Sequence, residues 1–113
     1  MNGKEYIVEA IELTEKLVSE MKKSGLLGDD PLLDQTSSAC DVLGNVKKKA
    51  TLRTKAGTNM AFPVYDAAQK LEEAWEEAQE SEDTDELKEQ LEEFVNAVQT
   101  LGATLKERTV IMT

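Results

Sequence analysis

The chain has 113 residues, 23 acids against 13 Lys and Arg, a formal charge of −10 and no histidine. That length suits one domain with one modest core, and the missing imidazole excludes Ser–His and Cys–His catalysis and histidine metal sites. Cys40 is the sole cysteine, so no internal disulfide forms; no apolar run reaches the roughly 18–20 residues of a membrane span, and with no apolar leader a cytoplasmic location is expected.

Periodicity predicts a first helix over about 3–24. Ile7, Ile11, Thr14, Val18 and Met21 recur at spacings of four and three, flanked by Tyr6, Ala10, Leu13 and Leu17; this is a broad apolar face. Lys22 and Lys23 suit the negative end of the helix dipole, and Gly25 suits a left-handed cap. A second helix is predicted over about 31–50, opened by Asp30 as cap and Pro31 at the first position. Its stripe is Leu32, Thr36, Ala39, Leu43, Val46 and Ala50. The small residues Ser38, Ala39, Cys40 and Gly44 permit close helix approach, and Gly44 costs roughly 1 kcal/mol relative to Ala in a helix, which predicts a neighbour packed against it. Cys40 lies among apolar residues and is expected to be a buried thiol rather than a nucleophile. Asn45 is either an ordinary helix-face residue or a buried hydrogen-bonding position that fixes register, the second being favoured.

The segment TLRTKAGTNMAF, with Gly57 and several Thr, is predicted to be the longest irregular stretch. A third helix is expected over about 63–80, starting at Pro63, with Val64, Ala68, Leu71, Trp75 and Ala78 as its stripe. Trp75 is in phase with the core, with its N–H at the rim. The turn ESEDTD leads into a fourth helix over about 85–107, striped by Leu87, Leu91, Phe94, Val98, Leu101 and Leu105. The tail TVIMT is expected to fray or to dock on a neighbour. No segment alternates with period two. The reading is an all-α single domain, 1–113, folded as an antiparallel up-down-up-down four-helix bundle.

The charge is strongly segregated. Residues 42–65 hold Lys47, Lys48, Lys49, Arg53 and Lys55 and no acid, whereas Asp66 to Glu93 hold thirteen acids against Lys70 and Lys88. A basic island in an acidic chain is where an anionic partner would bind. The plainer reading of the triple lysine is a solvated C-terminal helix turn. Only Tyr65 is an aromatic near the island, so the sequence offers no base-stacking platform.

Helix two, LLDQTSSACDVLGNV, resembles the second helix of the 23S rRNA intervening-sequence four-helix-bundle proteins, whose pattern is roughly Leu-x-x-Gln-x-x-x-Ala-x-x-[Val/Ile]-x-x-Asn-[Ile/Val]. Leu32 or Leu33, Gln35, Ala39, Val42 or Leu43, Asn45 and Val46 match. The stretch AIELTEKLVSEMKKS is similar to that family's first helix, and the basic loop, Phe62 and acidic turn follow in its order. Where the family has Glu-Gly, this chain has Lys47 and Lys48. The related Avd proteins, accessory variability determinants of diversity-generating retroelements, form ring-like pentamers and bind a reverse transcriptase and its RNA; they are usually basic. The resemblance, over roughly residues 5–108, implies a non-enzymatic homo-oligomer, a pentamer if Avd-like, with Lys47, Lys48, Lys49, Arg53 and Lys55 facing reverse transcriptase or RNA and with no cofactor.

Two other readings use the acids. Glu72-Glu73-Ala74-Trp75-Glu76, followed by Glu89 and Glu92, resembles the E-E-x-x-E and E-x-x-D carboxylates with which MazG-type nucleotide pyrophosphohydrolases hold magnesium; Glu92 stands where that family has Asp. Facing carboxylates suit a hard cation, and the plainer reading is a solvated face. Alternatively, Glu72, Glu76, Glu80, Glu86, Glu89 and Glu93 stand in for phosphates in a decoy of a nucleic-acid-binding protein.

Overall fold

In a computed structural model of the chain, residues 1–112 are described, with side chains as far as Lys106. Four α-helices and one 3₁₀ turn make up the fold: α1 (Gly3–Ser24), α2 (Pro31–Val46), the 3₁₀ turn (Ala50–Arg53), α3 (Lys55–Ser81) and α4 (Asp85–Met112).

Local chemistry sets most helix ends. Asn2 caps α1 by accepting the Glu5 N–H at 2.9 Å, and the Glu5 carboxylate accepts the Asn2 N–H at 3.3 Å, a reciprocal box that satisfies two otherwise orphaned donors. Gly25, at φ 71°, closes α1 by donating to the Met21 carbonyl. Asp30 accepts the Leu32 N–H at 2.9 Å and Pro31 opens α2.

The middle of the chain departs from expectation. α2 stops at Val46 instead of near residue 50, so Lys47–Lys49 lie beyond the helix. α3 begins at Lys55, eight residues before Pro63, because the Thr54 hydroxyl accepts the Gly57 N–H at 3.0 Å and caps it. Most of the expected irregular stretch is therefore helix, and Pro63 lies inside α3. Its ring removes one backbone donor, a loss tolerated on the exposed face where Pro63 lies. α4 runs past the expected end at 107 to Met112; whether the tail docks concerns side chains outside the described residues.

Helix neighbours follow from the contacts. α1 packs on α2 and α3, and α4 packs on α2 and α3, leaving the pairs α1/α4 and α2/α3 diagonal. The Gly3 N–H donates to Thr58 Oγ1 at 3.1 Å and the Trp75 indole N–H donates to Glu20 Oε2 at 3.1 Å. Both pairs are 55 residues apart, so α1 and α3 lie side by side in the same direction. The α2 and α4 starts are joined by Lys88–Asp30 at 3.7 Å, and the end of α1 meets the start of α2 through Lys22–Asp34 at 3.5 Å.

Because α2 and α3 are diagonal, their connection crosses the whole end of the bundle. The 3₁₀ turn makes that crossing, with Leu52 fully buried beneath it. Two glycines let it sit close. A Cβ on Gly57 would overlap the Thr51 carbonyl oxygen, and one on Gly3 would overlap the Leu52 carbonyl oxygen. These are the close backbone approaches of the fold. Gly44, expected to be packed, has nothing within 4 Å of its would-be Cβ, and Asn45 is exposed and fixes no register.

The core divides along the bundle into two clusters. Ile7, Leu43, Val46, Leu52, Val64, Val98 and Leu105 pack in the half with the crossing. Leu17, Met21, Leu33, Leu71, Trp75, Leu87 and Leu91 pack in the other half. Each such aliphatic side chain contributes roughly 1.5–3 kcal/mol by leaving water, which is what holds four amphipathic helices together. Among the described residues no helix is long and apolar enough to cross a membrane.

Candidate anion-binding surface at the basic end

The crossing carries the basic island. Lys47, Lys48 and Lys49 occupy the turn after α2, Arg53 ends the 3₁₀ turn, and Lys55 is the first residue of α3. Lys47 is half-buried and the other four are exposed. The structure thus gathers the five predicted residues on one end of the bundle; Lys47 is the C-cap of α2, its N–H donating to the Leu43 carbonyl, so the triple lysine follows directly on that helix's C-terminal end as the plainer reading held.

Among the described residues the ion pairs are Lys22–Asp34, Lys70–Asp66 and Lys88–Asp30; none of the five island cations takes part in one, and neither do Lys16 and Lys23, so what sets the island apart is the concentration of five cations with no acid among residues 42–65. Lys55 and Arg53 sit at the positive end of the α3 dipole, where a cation costs rather than gains a few tenths of a kcal/mol to about 1 kcal/mol. Helix stability does not account for their placement. Sequence reasoning missed Lys4, which the Gly3–Thr58 contact brings to the same end.

An aromatic group beside the island was also missed. Tyr6 of α1 meets Phe62 and Tyr65 of α3, with ring centroids 5.6 Å and 4.9 Å apart, and Phe62 and Tyr65 are 6.3 Å apart. Phe62 is 47% exposed. The register that assembles this trio comes from the glycine contact between α1 and α3, which has no signature in sequence spacing.

The carboxylate readings fare differently. Glu73, Glu76, Glu89 and Glu92 are exposed and Glu72 is half-buried, because the α3/α4 seam is filled by Leu71, Ala74, Trp75, Leu87 and Leu91. Among the described residues no three acids, histidines or cysteines come together as a metal-holding cluster. The phosphate-mimic residues Glu72, Glu76, Glu80, Glu86, Glu89 and Glu93 fall on the outer faces of the same two helices, with only Glu72 partly covered.

Two side chains behave as expected. Trp75 is 2% exposed, with its N–H on Glu20 at the rim. Cys40 is buried, and burial, followed by the charges of Glu15 and Asp41, pushes its thiol up from 9.0 to about 12; it stays protonated and is a poor nucleophile.

Compared with known proteins, the chain matches no family model, no curated protein and no solved structure.

Proposed function

We infer that this is a non-enzymatic, oligomeric helical-bundle binding protein whose basic end engages an anionic partner. The reading takes the bundle as up-down-up-down and the setting as cytoplasmic, and it follows the resemblance to Avd-type accessory proteins, which bind a reverse transcriptase and its RNA. One observation carries it: five cations and no acid within residues 42–65 of a chain of charge −10 are gathered at one end of the bundle. An acidic protein has no general reason to concentrate five cations at one end, two of them where a helix dipole disfavours them. In an oligomer the island recurs on each copy, so modest single contacts add through multivalency.

The test is recovery of partners from the native host with the native chain and with a variant in which Lys47, Lys48, Lys49, Arg53 and Lys55 are all changed to Ser, each with and without ribonuclease. Partners held by the native chain and lost by the variant support the reading, and ribonuclease sensitivity assigns the contact to RNA. Identical recovery by both chains makes the island solvated surface and transfers interest to the acidic face.

A further inference from the structure

The outer strip of α3 changes in chemistry as it leaves the crossing. Lys55, Asn59, Phe62 and Asp66 follow at spacings of four, three and four, so they line one face of the helix. Lys55, Asn59 and Phe62 are exposed. Asp66 is half-buried and held by Lys70 at 3.1 Å. Phe62 has about half of its surface in solvent, yet its ring is fixed from within the chain. The Tyr6 ring meets it at 5.6 Å with planes 76° apart, and the Tyr65 ring at 6.3 Å with planes 40° apart. Tyr6 and Tyr65 close the triangle at 4.9 Å. A single exposed apolar side chain is ordinary. An aromatic braced by two others, in line with a cation and next to a basic island, is a built surface.

We propose that this face binds single-stranded nucleic acid, with one unpaired base stacked on Phe62 and the adjoining phosphates running over Lys55 and Arg53 toward the crossing. The proposal rests on the anion-binding reading above and names the chemistry of the anion. Cations alone suit any polyanion. A flat π-face beside them suits a strand that offers base faces as well as phosphates, the combination that single-strand binders use. A duplex keeps its base faces within its own stack and leaves the ring without a partner. An acidic protein patch would satisfy the cations and leave the braced ring unexplained. The spacing fits a strand. Lys55 and Phe62 differ by seven positions, about 10 Å along the helix axis, which is the rise of roughly three stacked nucleotides. Charge sets the direction. Beyond Phe62 the strip turns to Asp66, and Glu9 is exposed one turn along α1 from Tyr6, so phosphates are repelled on that side and drawn toward the island. The stacked base therefore marks the edge of the site, and the strand continues over the end of the bundle, where Lys47, Lys48 and Lys49 lie.

The test compares two labelled strands of about twelve nucleotides, within the ~4–16 nucleotides that single-strand sites cover: an oligouridylate and an abasic ribose–phosphate strand of the same length and charge. Affinity is read by fluorescence anisotropy with the full-length native chain, Phe62→Tyr and Phe62→Leu, and circular dichroism verifies that each is folded. The native chain is expected to prefer the strand with bases by about 5- to 150-fold, the contribution of one stacked base. Phe62→Tyr should keep that preference. Phe62→Leu keeps an apolar side chain and loses the π-face, so it should bind both strands alike, with the salt slope of the native chain. The same pair of strands in deoxyribose separates the sources: a preference seen with both sugars assigns the site to single strands in general, and one confined to ribose assigns it to RNA. Equal native affinity for strands with and without bases overturns the stacking inference, while its salt dependence leaves the anion-binding reading standing. A preference that survives in Phe62→Leu overturns the inference too. A native chain that binds neither strand also overturns it, and recovery of partners from the host then decides the anion-binding reading on its own.

Discussion

The two ends of the bundle solve the same closure problem with opposite means. At the acidic end, α1–α2 and α3–α4 join by short turns, and side chains finish the packing: Trp75 donates to Glu20, Lys88 holds Asp30 and Lys22 holds Asp34. At the basic end a diagonal crossing must be accommodated, and backbone lies directly on backbone at Gly3, Leu52 and Gly57. Every cation pairing seen among the described residues belongs to the acidic end or the α3 flank, and none to the island. The comparison teaches that charge here is not spread merely for solubility. At one end charged side chains join the closure, and at the other backbone contacts close the fold while Lys48, Lys49, Arg53 and Lys55 are left exposed.

The comparison breaks most visibly at Gly57. Gly57→Ala drives a Cβ into the Thr51 and Leu52 backbone, which cannot yield as a flexible side chain would. It should cost about 3 kcal/mol or more in urea unfolding, the upper range for overpacking. A wild-type midpoint for that variant would mean the crossing is loose. Leu52→Ala, which opens a cavity under the crossing, should cost about 2–5 kcal/mol.

At the acidic end the matching change is Asp30→Ala. It removes the α2 cap and the partner of Lys88 and should cost about 1–2 kcal/mol. Most of that is the cap, so adding salt should diminish the difference only slightly; a loss that vanishes in salt would assign it to the ion pair instead. Gly44→Ala should change the sign. Its surroundings are open, so the variant should gain roughly 0.5–1 kcal/mol, and a loss there would reveal a hidden neighbour.

How far these contrasts were readable from sequence depends on how local their causes are. The limits of α1, the start of α2 and the core phase of Trp75 were legible, since Gly25, Asp30, Pro31 and an apolar stripe act within a few residues. Thr54 as a cap was not, because the stretch up to Phe62 lacks a strong stripe and Pro63 looked like a helix start. The α1/α3 register was invisible as well. It depends on two glycines 54 positions apart whose value is the absence of a side chain against a distant backbone. With it went Lys4 and the Tyr6–Phe62–Tyr65 trio. The five island residues were legible as a charge run, but not their gathering with Lys4 at one end of the bundle.

A smaller effect concerns Cys40. Its thiol is held near 12 against an ordinary 9.0, so at pH 8 the folded chain should be alkylated about 1,000-fold more slowly than a free thiol, and at the ordinary rate in denaturant. The raised folded value also means that this group's contribution to stability is complete below pH 9 and lost as pH rises from 9 toward 12. Rapid labelling of the folded chain would show that the α1/α2 seam opens.

The smallest expected effect on stability accompanies the largest on binding. Replacing all five island cations by Ser should shift unfolding free energy by no more than about 0.5 kcal/mol per site, since none forms an ion pair among the described residues. Fluorescence anisotropy of a labelled single-stranded RNA, titrated with the native chain and with this variant over a range of salt, tests the central claim most directly. The native chain should bind with a log–log salt slope near −3.5, about −0.7 for each of five phosphate contacts, and the variant should lose both affinity and slope. Equal binding by the two chains, or native binding insensitive to salt, would contradict it.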